Sequence, residues 1–80
     1  MKANLELILK EVKNKLKVGK KYKIDYGKNN SNNKVIHIRA FVDDEYVVYR
    51  YWSRRKNRYY YLVEWFYGLY LIKDIIKEVK

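Results

Sequence analysis

Cysteine, proline, threonine and glutamine are all absent from these 80 residues. Without cysteine there is no disulfide and no thiolate metal site to supplement a core, and nothing points to an oxidising compartment. No run of 18 uncharged apolar residues occurs, and Glu6, Lys10 and Glu11 interrupt the N-terminal stretch too early for a signal-peptide core. The expectation is a soluble cytoplasmic protein that does not contact membrane. Catalytic side chains are equally scarce, with a single histidine and only Ser31 and Ser53 as hydroxyl nucleophiles of the serine and threonine type. A Ser–His–acid arrangement would have to join His37 to one of them, and Ser31 falls in a loop. Asp43, Asp44 and Glu45 offer the oxygens that a hard cation requires, but three successive acids between two strands read as a solvated turn. The sequence therefore predicts no enzyme, no catalytic residue, no metal site and no cofactor.

What is present is charge and aromatic surface. The formal net charge is +10, which suits an anionic partner such as nucleic acid, a nucleotide or an acidic protein face. Lysine, asparagine, isoleucine and tyrosine abound, a profile that an AT-rich genome produces by mutational bias, so dispersed lysine says little. Clustered arginine says more, because every arginine except Arg39 lies between Arg50 and Arg58. Tyrosine supplies 10 of the aromatics, and each large ring brings roughly 150–250 Å² of buriable surface to a small core.

A chain of this length makes one domain, residues 1–80, since it buries only about 60–65% of its unfolded surface. Leu5, Ile8, Leu9, Val12 and Leu16 recur at helical spacing and predict an amphipathic helix over 2–17, ended by Gly19. From Lys20 the period becomes 2, and strands are predicted at about 20–26, 34–42, 46–53, 59–66 and 69–72. A short helical segment over 73–79 follows. Ile36, Ile38, Ala40 and Val42 are the expected core set of the second strand. GKNNSNN (27–33) reads as an exposed, mobile loop. The fold class expected is α+β: an N-terminal helix packed on a small five-stranded antiparallel sheet or SH3-like barrel, with an OB-like barrel as the alternative.

The stretch YRYWSRRKNRYYYLVEWFY (49–67) concentrates aromatics and cations in one hairpin. With Ser53 opposite Tyr59, the uncharged set Val47, Tyr49, Tyr51, Ser53, Tyr59, Tyr61, Val63 and Trp65 would face the core. Tyr46, Val48, Arg50 and Trp52 would then share the outer face with Tyr60, Leu62, Glu64 and Phe66, and Arg50 would pair across strands with Glu64. On that reading Trp52 and Tyr60 are the stacking candidates. Arg54, Arg55, Lys56 and Arg58 at the hairpin tip are the phosphate contacts, joined by Arg50. Lys20, Lys21 and Lys23 could extend the patch.

The functional expectation is a small non-enzymatic protein that binds nucleic acid or a phosphate-bearing ligand through this hairpin. The alternative is a phage-type inhibitor or adaptor that blocks a host protein or sequesters a signalling nucleotide. A monomer or weak homodimer is expected, favoured at low salt if the DDE and RRKNR loops of opposite charge pair between chains; a third reading is a structural oligomer assembled through exposed strand edges and aromatic faces.

Overall fold

A computed structural model describes residues 2–80, with side chains from Asn4 onward. The first helix, α1 (Lys2–Lys15), forms where the apolar stripe demands it. Val12 and Leu16 of that stripe are buried, Ile8 and Leu9 pack beside them, and Leu5 is exposed. Lys13 and Lys15 occupy the last turn, where cations meet the negative end of the helix dipole. Both are also anchored, Lys13 Nζ to Asp44 Oδ1 at 2.6 Å and Lys15 Nζ to the Lys73 carbonyl at 2.6 Å. Gly19, at φ +88°, redirects the chain into the sheet, where its N–H donates to the Ile38 carbonyl.

The strands are β1 (Lys21–Ile24), β2 (Lys34–Val42), β3 (Tyr46–Ser53), β4 (Arg58–Trp65) and β5 (Ile76–Glu78). They form one antiparallel sheet in the order β4-β3-β2-β1-β5. β4 and β5 are both edges, so the sheet is open, and neither the SH3-like nor the OB-like barrel is formed. Closure is pre-empted by α2 (Phe66–Leu71), which follows β4 directly and buries Phe66 and Leu69 against the sheet. The face that a barrel would enclose by curling is instead covered by α1 and α2. No helix among the described residues is long and apolar enough to cross a membrane.

The C-terminal assignments exchange places. Residues 69–72, read as a strand, fall in α2 and its end. Residues 73–79, read as helical, hold a 3-10 turn (Lys73–Ile75) and β5. Short apolar segments fit either period, and tertiary demand decides. Phe66 and Leu69 at i and i+3 fill the core, while the free side of β1 takes up Ile76 opposite Ile24 and Glu78 opposite Tyr22.

Two register features reassign faces. In β2, Ile38 opposes Tyr49 and Ala40 opposes Val48, so Arg39 is a bulge without a partner of its own. Core parity passes from Ile36 and Ile38 to Phe41, and Ala40 and Val42, expected inside, lie on the other face. In the β3–β4 hairpin, Ser53 opposes Arg58 rather than Tyr59. That single step turns every β4 side chain over relative to the expectation. The core is thus Val12, Leu16, Tyr22, Ile24, Ile36, Ile38, Val47, Tyr49, Phe66, Leu69 and Ile76.

The connections are tight. At the β2–β3 turn Asp43 and Asp44 adopt φ +54° and +51° while Glu45 N–H donates to the Val42 carbonyl, a type I′ pattern built without glycine. Asp44 is already held by Lys13, at the far end of β3 from the RRKNR loop. The asparagine-rich loop, expected to be mobile, is exposed but cross-tied by its own side chains. Asn33 Oδ1 accepts from Tyr26 N–H at 2.6 Å and Asn33 Nδ2 donates to the Gly27 carbonyl at 2.7 Å.

Candidate functional site

The sheet face turned away from α1 and α2 is uncovered. Alternation along the strands places Lys21 and Lys23 of β1, Val35 and His37 of β2, Arg50 and Trp52 of β3, and Tyr59 and Tyr61 of β4 on it. Lys77 of β5 stands opposite Lys23 on the same face. Glu64 and Glu78, the only acids within strands among the described residues, oppose the core residues Val47 and Tyr22 and so point to the helix side. Among the described residues the strands carry no carboxylate on the open face, where cations and aromatic rings stand among valines such as Val35 and Val63.

One row crosses four strands: Lys21 opposes His37, His37 opposes Arg50, and Arg50 opposes Tyr61. Arg50 is the centre of this row. Its guanidinium lies 4.0 Å from the Tyr59 ring centroid, and Nη1 donates to the Tyr61 hydroxyl at 3.1 Å. Its Nε is buried and has no hydrogen-bond partner among the protein atoms. Tyr59 makes edge contacts with Trp52 at 5.0 Å and with His37 at 5.6 Å. Trp52 remains 47% exposed and Tyr61 57%, so both offer ring surface to a ligand.

His37 is the one titrating imidazole in this row. Burial first, and then the charges of Lys21, Arg50 and Arg39, hold its pKa below 6.5. The unfolded chain accepts a proton before the folded one does, so His37 favours the fold above pH 6.5 and weakens it as pH falls through the depressed value. A polyanion laid across the row would offset the cations and raise that pKa again.

At the end of the sheet, a cleft of about 730 Å³ lies between the asparagine-rich loop and the hairpin tip. Trp52 and His37 form part of its wall, Asn32 and Asn33 offer amides, and Arg54 and Arg55 stand at its rim.

The expected site residues divide between two faces. Arg50 and Trp52 meet on the open face, with Arg54 and Arg55 beside them at the cleft. Tyr60 and Arg58 point to the helix side beyond the reach of the helices, where Tyr60 stacks on Tyr51 at 5.9 Å and Arg58 lies 5.0 Å over the Tyr60 ring. Lys56 lies in the exposed tip, its N–H donating to Ser53 Oγ at 3.2 Å. The expected Arg50–Glu64 pair is not formed, because the two lie on opposite faces. Glu64 Oε1 instead accepts from the Tyr49 hydroxyl at 2.9 Å. Burial, with Glu64 beside it, raises the Tyr49 pKa well above 10. Tyr59, Tyr61 and His37 join the site although the sequence reading left them out. The missed signal was Asn57, at φ +54°, which lets a four-residue turn close at Arg58.

These features define a two-layer α+β domain with one sheet face covered by helices over its inner half and the other presenting rings among cations. Comparison with protein families, curated proteins and solved structures finds no match to this chain.

Proposed function

We propose that this protein is a non-enzymatic binding module that holds single-stranded nucleic acid on its open sheet face and hairpin tip. The observation that carries the reading is the acid-free face in which Trp52, Tyr59 and Tyr61 alternate with Lys21, Lys23 and Arg50. Exposed rings accept unpaired bases, which have free π-faces, whereas a duplex keeps its bases stacked inside. The cations follow the backbone phosphates, and the cleft at Trp52 accommodates one unstacked base with its phosphate against Arg54 and Arg55.

The test separates rings from charges on a labelled oligonucleotide. Trp52→Ala and Tyr61→Ala should each weaken binding by roughly 1–3 kcal/mol without altering its salt dependence, because stacking releases no counterions. Replacing Arg54, Arg55 and Lys56 together by alanine should lower the slope of log K against log salt by about 2 on a single strand. Binding should also tighten as pH falls towards the His37 range and lose that dependence in His37→Gln. Absence of binding to single-stranded DNA and RNA at low salt overturns the reading. The face would then belong to a protein partner, as for an inhibitor or adaptor.

A further inference from the structure

The two sheet edges are built differently. β5 is three residues long and ends in Lys77 and Glu78, a short charged edge of the kind that resists strand addition. β4 is eight residues, Arg58–Trp65, without lysine or proline, and its Tyr61 and Val63 are 57% and 65% exposed. The direction of its free backbone groups follows from the turn beyond it. Phe66 N–H donates to the Glu45 carbonyl, so the even-numbered residues of β4 face β3. The N–H and C=O groups of Tyr59, Tyr61, Val63 and Trp65 point outward.

From this edge we infer that the protein forms a symmetric dimer in which β4 pairs antiparallel with β4 of a second copy, about a two-fold axis through Tyr61. The occupant is a second copy because the strand complements itself in that register. Tyr61 opposes Tyr61 of the partner subunit, with Tyr59 opposite the partner's Val63 and Tyr60 opposite the partner's Leu62. Arg58 then opposes the partner's Glu64, so the two charged residues of the strand meet on the helix side. Aromatic–aliphatic and opposite-charge pairs are the favourable cross-strand combinations. Tyr59, Tyr61 and Val63 exchange their outward hydrogen bonds with the other copy. A register shifted to place Leu62 on the axis would set Tyr60 against the partner's Glu64 and leave Arg58 without an acid.

The two-fold axis stands perpendicular to the sheet, so both open faces lie on the same side of one continuous sheet. The dimer does not depend on the nucleic-acid reading, since its contacts are backbone hydrogen bonds and β4 side chains. Each chain carries +10, so added salt should strengthen association. Pairing between the DDE and RRKNR loops would respond in the opposite direction.

The absence of native cysteine gives a direct test in the ligand-free protein. Opposed residues of a non-hydrogen-bonded antiparallel pair have Cα atoms about 4.5 Å apart and their side chains close, within the disulfide range of about 4.4–6.8 Å. In this register Tyr60 and the partner's Leu62 form such a pair, so a mixture of Tyr60→Cys and Leu62→Cys chains should cross-link to a heterodimer on mild oxidation. Neither variant alone should cross-link as readily, because each opposes the other position and not itself. Sedimentation should show Val63→Pro as monomer with unchanged circular dichroism, since the lost N–H points outward and proline is accepted at an edge. Val63→Lys, which leaves the backbone intact, should also be monomeric. Arg58→Glu should raise the dimer dissociation constant about tenfold, the two symmetric ion pairs becoming repulsions. Failure of the mixed Tyr60→Cys and Leu62→Cys chains to cross-link at high micromolar concentration overturns the dimer. Preferential cross-linking through Leu62→Cys, or a dimer that survives both Val63 substitutions, overturns this pairing.

Discussion

A methyl group added at Gly68 would meet Glu64 Oε2 at 2.7 Å, while Glu64 Oε1 holds the buried Tyr49 hydroxyl. This glycine serves close approach: α2 sits low enough on β4 for the Glu64 carboxylate to occupy the space of a side chain. Helix propensity alone favours Gly68→Ala by about 1 kcal/mol. Displacing a carboxylate from its hydrogen bond costs about 1.5–3 kcal/mol. The net expectation is a loss of roughly 0.5–2 kcal/mol in urea melts by combining the two. In the Tyr49→Phe background there is no hydrogen bond to lose, and Gly68→Ala should become neutral or stabilising. Equal effects in both backgrounds would remove Glu64 from the explanation. The sequence displays Glu64 and Tyr49 as strand residues, but their meeting depends on register and could not be read from spacing.

At the scale of elements, the hairpin turn decides which side chains form the site. A five-residue RRKNR loop would send Tyr59 and Tyr61 to the core face, whereas the observed turn at 54–57 sends them to the open one. Asn57 permits this by adopting φ +54°, which costs most other residues about 1–2 kcal/mol. Asn57→Gly should leave stability unchanged or raise it slightly. Asn57→Val should lower it by about 1–2 kcal/mol, visible as a drop in Tm of several degrees with broadened β4 amide resonances. If Asn57→Val melts as the parent does, the turn is not what holds the register. The helix α1 was legible almost to its ends because a 3.6-residue apolar period over four turns has no competing reading. The segment after Gly68 was not, because a few apolar residues satisfy either period and the choice belongs to the core they fill.

The whole molecule is elongated, 41 × 25 × 21 Å, since the β3–β4 hairpin extends past the helices that cover the sheet. Its outer half, from Tyr51 to Tyr60, has few buried apolar neighbours and should exchange amide hydrogens faster than Ile36, Ile38 or Val47. A bound single strand should protect that half selectively, and uniform protection along the chain would argue against a site there. The sequence by itself determined the class: an N-terminal amphipathic helix, the first four antiparallel strands and a cationic aromatic hairpin. Those properties are local or additive, so composition and periodicity carry them. Only the tertiary structure decided that the sheet stays open, that Arg39 is a bulge, and that Tyr59 and Tyr61 join Arg50 and Trp52 while Tyr60 and Glu64 turn away. The last two are parities between strands, and a one-residue slip inverts a face while scarcely changing the apolar pattern. The choice falls to the packing of Phe66 and Leu69 and to the turn that Asn57 allows.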